Sequence, residues 1–235
     1  MPAIARRALA ELIGTALLLV AVVGSGIAAQ RLSPNDGGLE LLESAVATGA
    51  ALVAIILALG SVSGAHLNPL VSVADALLGG LRAREVAWYV GAQLCGAAAG
   101  TVVANLMFSL APVSVSSHGR SGGGLWLGEV VATFGLLLVV FGLARRGRVA
   151  EVPFAVGAYI TGAYVFTSST SFANPAVTVA RMLSDTFAGI APSSVPAFVA
   201  AQVVGTGLAV GAISVLHPRA AQGAAAVTPR GRAAA

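Results

Sequence analysis

The chain has 235 residues, of which 57% are hydrophobic and only 9% charged, with a mean hydropathy of +0.90. That balance excludes an ordinary water-soluble domain and identifies an integral membrane protein built from helical spans. The net charge of +4 arises without a single lysine; the arginines fall in short connecting segments, where membrane orientation explains them more simply than a nucleic-acid surface.

In chain order, Arg6-Arg7 and the apolar run behind it look like a signal peptide. Residues 8–29, however, are long enough to span, and they contain Glu11, which has a counterpart later, so the run is read as a retained first helix. Further spans are expected at 44–61, 86–107, 125–144, 152–167 and 195–216. Two shorter apolar segments, 68–79 and 174–185, begin at Asn68-Pro69 and Asn174-Pro175, with Asn suited to the N-cap and Pro to the first helical position. A helix of about 12 residues is about 18 Å long, half a bilayer, so each must enter and return. The Ser- and Gly-rich connection at 109–124 reads as a flexible loop, and residues 217–235 as a disordered cytoplasmic tail. Cys95 is the one cysteine, so no intrachain disulfide is expected, and its apolar segment points to helix packing. The three histidines do not cluster, so no metal site is suggested, and no phosphate loop or triad marks an enzyme.

The chain repeats itself. Asn68-Pro69-Leu70-Val71-Ser72-Val73-Ala74-Asp75 recurs as Asn174-Pro175-Ala176-Val177-Thr178-Val179-Ala180-Arg181. Glu11-x-x-x-Thr15 recurs as Glu129-x-x-x-Thr133, and Ala92-Gln93-x-x-Gly96 as Ala201-Gln202-x-x-Gly205. Each half, about 8–108 and 123–216, thus holds two spans, a half-helix and a third span. An odd number of crossings per half inverts the second relative to the first. The expected fold is all-α: six transmembrane helices plus two re-entrant half-helices in an inverted twofold repeat, one membrane channel domain over 1–235. With the N-terminus inside, ten arginines are cytoplasmic and three (Arg31, Arg120 and Arg181) are not. That bias places both termini in the cytoplasm, and the expected location is the inner (plasma) membrane.

Two half-helices starting at the midplane present free N–H groups and roughly half a positive charge each. Their Asn amides, Asn68 and Asn174, with Pro69, Leu70, Pro175 and Ala176 around them, form a centre that binds oxygen atoms of neutral solutes and repels cations. Ser63-Gly64-Ala65-His66-Leu67-Asn68-Pro69, the second Asn174-Pro175-Ala176 and the paired Glu-x-x-x-Thr helices resemble the aquaporin (major intrinsic protein) family over nearly all of 8–216. The resemblance implies a homotetramer with one pore per subunit, small neutral solutes and the lipid bilayer as partners, no nucleic acid, no cofactor and no catalysis. It implies pore-wall carbonyls from Gly64, Ala65, His66, Phe172 and Ala173. It also implies that Glu11 and Glu129 brace the re-entrant loops; the rival reading makes them proton relays of a coupled secondary transporter. His66 is either a wall residue or a titrating gate.

Most water- and glycerol-conducting members carry Arg three residues after the second Asn, and here that position is Val177. Carrying over the rest of the filter by spacing gives Thr48, Gly162 and Ser171, hence a wide, uncharged constriction without a bulky aromatic. Water, polyols such as glycerol and undissociated metalloid acids such as arsenous acid fit it, and the pattern is similar to a bacterial branch that lacks the filter arginine and is linked to arsenic handling. Leu70, where the family has Ala, adds volume at the midplane. Asp75 and Arg181, each seven residues after a motif Asn, are expected near opposite mouths. There they either act on the solute, Arg181 in part replacing the missing charge, or simply solvate helix ends.

Overall fold

The computed structural model describes residues 1–218; all but the first two residues of the expected 217–235 tail, and three of the ten arginines assigned to the cytoplasm, lie at 219–235, outside the described residues. Among the described residues eight α-helices follow one another: α1 (Ala3–Leu32), α2 (Gly37–Ser63), α3 (Pro69–Leu77), α4 (Ala83–Met107), α5 (Gly123–Arg145), α6 (Val152–Phe166), α7 (Pro175–Ala180) and α8 (Val195–Leu216). Six helical segments among the described residues are long and apolar enough to cross a membrane, and α3 and α7 are not. Many large apolar side chains, Leu17, Leu57, Phe154 and Leu208 among them, lie on the outer surface, as a lipid-facing shell requires.

The half-helices are shorter than their apolar segments. α3 stops because Gly79 takes a left-handed conformation (φ 82°) and Gly80 N–H turns back to the Asp75 carbonyl at 2.8 Å. α7 passes into a 3-10 turn at Arg181–Leu183.

Helix contacts follow the repeat: α1 packs on α2 and α4, α5 on α6 and α8, and α2 on α6 across the halves. Small residues permit the closest approaches. A Cβ built on Gly96 would lie 2.2 Å from the Leu12 carbonyl oxygen, and one on Gly100 2.2 Å from that of Ala16, so α4 rests on the backbone of α1. A Cβ built on Gly205 would lie 2.5 Å from the Val130 carbonyl oxygen in the corresponding α8–α5 contact. Gly207 and Gly211, equally spaced in the sequence, face open space, and Cys95 is exposed on the outside of α4 rather than packed between helices. At one end of the bundle, Arg7 Nε donates to the Tyr89 hydroxyl (2.9 Å), which donates to the Ser63 carbonyl (2.7 Å), tying α1, α4 and the end of α2.

The 109–122 connection is pinned rather than loose. Ser114 and Ser116 N–H groups donate to the carbonyls of Leu183 (3.1 Å) and Met182 (2.9 Å), and Ala191 N–H donates to that of His118 (2.7 Å). Ser117 donates to Asp185 through its N–H and its hydroxyl, which holds that carboxyl below its usual range.

Replacing Gly100 by Ala forces backbone apart at the α1–α4 contact. The expected loss is about 1–3 kcal/mol of stability, read as an earlier thermal unfolding midpoint in detergent, whereas Gly211→Ala, which meets open space inside a helix, does not lower the midpoint.

Candidate functional site

α3 and α7 meet end to end at their N-termini, and each is capped by its own Asn. Asn68 Oδ1 accepts the Leu70 N–H (2.9 Å); Asn174 Oδ1 accepts those of Ala176 (2.9 Å) and Val177 (3.3 Å). The amide nitrogens then cross to the opposite half. Asn68 Nδ2 donates to the Ala173 carbonyl (2.8 Å), and Asn174 Nδ2 donates to the Leu67 carbonyl (2.7 Å). One N–H of each amide is so used and each keeps a second, while both residues border an internal cavity.

The segments before the two Asn residues share an unusual backbone. Ala65 and Leu67 have φ of 46° and 52°; Ser171 and Ala173, at the same offsets from Asn174, have 50° and 47°. Left-handed non-glycine residues cost about 1–2 kcal/mol each. Buried carboxylates hold them there. Glu11 Oε1 accepts the Ser63 hydroxyl (2.6 Å) and the His66 N–H (2.9 Å), and its Oε2 accepts the Leu67 N–H (2.7 Å) and Gln93 Nε2 (2.8 Å). Glu129 takes the N–H groups of Phe172 and Ala173 (both 2.9 Å) and Gln202 Nε2 (2.6 Å). The same Gln nitrogens donate to Ser72 (3.0 Å) and Thr178 (2.9 Å) on the half-helices. Gln93 and Gln202 are functional positions to which the sequence reasoning gave no role, although their recurrence with the repeat marked them. Both carboxylates are fully buried, and neither borders the cavity.

The cavity wall is apolar on one side, from Leu18, Val22, Leu52, Ile56, Leu136 and Val140, and polar backbone on the other. Gly64, Ala65, His66, Ser171 and Phe172 border it; Ala173 does not, its carbonyl being taken by Asn68. Along α3 and α7 the bordering residues are each Asn and the residue three beyond it, Val71 and Val177. Pro69, Leu70, Pro175 and Ala176 face away, so the volume of Leu70 falls outside the wall.

Three further expectations are corrected. Thr48 borders the cavity but Gly162 does not: α6 presents Val152, Val156, Ile160 and Tyr164 at four-residue spacing, and Gly162 is about 200° round the helix from Ile160. Tyr164 fills the place, its hydroxyl 3.4 Å from that of Thr48, so ungapped counting missed by two residues. Asp75 is not at a mouth. It is 2% exposed beneath Gly80, with a carboxylate oxygen 3.6 Å from His66 Nε2, while His66 Nδ1 lies 3.0 Å from the Ser72 hydroxyl. The fold-back that ends α3 covers it. Nor is the constriction uncharged and free of aromatics. Arg181, 3% exposed, borders the cavity with its guanidinium 3.5 Å from the centre of the Phe172 ring and its Nε donating to the Ala188 carbonyl. Arg120, which sequence reasoning left in a loop, stands 5.1 Å from the centre of the same ring and donates to the carbonyls of Gly189 (2.9 Å) and Phe187 (3.2 Å). No local signal pointed to it. Among the described residues no group of three or more His, Cys, Asp or Glu side chains is placed to hold a metal ion.

A family model described as Major intrinsic protein matches residues 1–170. The aquaglyceroporin AqpS of Rhizobium meliloti is 52% identical over 200 residues, covering 85% of each chain. Aquaporin AqpM of Methanothermobacter marburgensis is 33% identical over 215 residues, covering 80% of this chain and 87% of its own. Among solved structures, the aquaglyceroporin from Plasmodium falciparum shares the fold with a TM-score of 0.70, over 90% of this chain and 95% of its own, at 21% identity.

Glu129→Gln turns an amide N–H towards donors of the 171–173 segment and removes a charge-assisted acceptor. The expected loss is about 2–4 kcal/mol, visible as a lower unfolding midpoint. An unchanged midpoint accompanied by altered proton dependence of flux would instead make the residue a relay.

Proposed function

The chain belongs to the major intrinsic protein family of membrane channels, and from that premise we propose that it is a passive pore for water, glycerol-type polyols and undissociated metalloid acids such as arsenous acid. The observation that carries this reading is the cavity bordered by Asn68 and Asn174 where two half-helix N-termini meet. Two helix starts facing one another bring together N–H donors and partial positive charge, which favour solute oxygens and oppose cations. An apolar wall opposite a polar strip suits a carbon chain that bears hydroxyls on one side. The name aquaglyceroporin, carried by a relative with 52% identity, agrees with that choice.

Val177 contributes by being small. It borders the cavity at the position three beyond Asn174, and a longer side chain there would enter the path of the solute. The placement of Glu11 and Glu129 favours a passive channel over a coupled transporter. Their oxygens are occupied by backbone and Gln donors, and they stand behind the wall instead of along the route. In this reading the protein is a homotetramer of the inner membrane, and its termini are cytoplasmic, the orientation that its arginine distribution favours.

The test is flux into liposomes that contain the purified protein. Glycerol and arsenous acid entry is expected to rise linearly with concentration and to ignore an imposed proton gradient; saturating, gradient-driven uptake would overturn the reading. Val177→Arg is expected to reduce glycerol and arsenous acid flux about tenfold and water flux less, the steric and electrostatic effect of a guanidinium in a narrow pore. Equal retention of all three would remove Val177 from the filter.

A further inference from the structure

Among the described residues that border the cavity, Arg181 alone carries a fixed charge. Its guanidinium is buried, and among the described residues it forms no ion pair with a carboxylate. A desolvated cation without a counterion is unfavourable unless other groups or a passing solute satisfy it. Two groups position it: the Ala188 carbonyl receives Nε, and the Phe172 ring lies against the guanidinium plane. Nη1 is buried and has no partner.

The surroundings fix this arrangement. Arg120 donates to the carbonyls of Phe187 and Gly189, the residues on either side of Ala188, and so holds the segment that holds Arg181. Residues 114–116 pair with Met182 and Leu183, anchoring the chain just beyond Arg181. Val177 lies one helical turn before Arg181, and both border the cavity.

We propose that Arg181 is the specificity-determining residue at the mouth beside the 109–122 connection. Its Nη1–H binds the oxygen of a neutral hydroxyl-bearing solute, a polyol or an undissociated oxyacid, and its charge excludes cations. Arg120 is the positioning residue that keeps it aimed. The small Val177 leaves the approach to Arg181 open, so an absent charge at one turn and a present charge at the next form a single filter. This rests on the channel reading and adds to it the residue that does the selecting.

The experiment compares wild type, Arg181→Gln and Arg181→Lys in liposomes, measuring water, glycerol and methylammonium entry per reconstituted protein. Wild type is expected to pass water and glycerol and to exclude methylammonium. Arg181→Gln, which loses the charge, is expected to admit methylammonium at about ten times the wild-type rate or more. Arg181→Lys, which keeps the charge but loses the fork of donors, should still exclude it while its glycerol-to-water ratio falls several-fold. Should Arg181→Gln fail to fold, the Lys variant decides through that ratio, and an unchanged ratio overturns the proposal. Wild-type flux with both variants indistinguishable from it defeats the assignment to Arg181 alone; a wild type that passes neither water nor glycerol defeats the channel reading and this inference together.

Discussion

A backbone that leaves its helix inside a membrane must find partners for its N–H groups without water. Here two buried carboxylates meet that constraint. Glu11 collects the N–H groups of His66 and Leu67, and Glu129 those of Phe172 and Ala173. Alternate left-handed residues turn these donors towards the acid, and the same segments border the cavity on their other side. A costly conformation and a costly buried charge stabilise one another; each alone would be unfavourable at this depth. Gln93 and Gln202 extend the arrangement to Ser72 and Thr178, so span, loop and half-helix form one hydrogen-bonded unit in each half.

The two units are not independent. The carbonyl that ends each loop is satisfied by the Asn of the other, Asn68 to Ala173 and Asn174 to Leu67. The centre of the molecule is thus a joint between halves as well as part of the cavity wall. Because the amides both cap helices and bridge the joint, their orientation is determined by two bonds at Asn68 and three at Asn174 before any solute arrives.

Much of this was legible in the sequence because it repeats. Composition and span length located the six crossing helices to within a few residues, except where α1 and α2 extend beyond the apolar core. The Asn-Pro pairs marked α3 and α7, and Glu11 and Glu129 stood out as acids in apolar helices. What failed were inferences that depend on exact rotation about a helix axis. Gly162 and Tyr164 differ by two positions, enough to point to nearly opposite sides, and no pattern in the sequence reports how a helix is turned against its neighbours. Asp75 and Arg181 occupy matching places in the repeat, yet one is sealed under Gly80 and the other borders the cavity. The chain after each half-helix decides that difference, and there the halves no longer resemble each other. Arg120 was invisible for a related reason: its contacts with Phe187, Gly189 and Phe172 are all tertiary.

The reciprocal Asn bonds also have a consequence in time. Asn68 is made 105 residues before its acceptor Ala173. At about 5–20 residues per second, that acceptor follows roughly 5–20 s later. Until then the Leu67 carbonyl and the Asn68 amide lack their final partners, and Asn174, which serves Leu67, follows one residue later still. The nascent chain therefore cannot complete its interior as it is inserted span by span. The joint at the Asn pair closes only when the second half arrives, so the bonds that unite the halves belong to the later stages of synthesis.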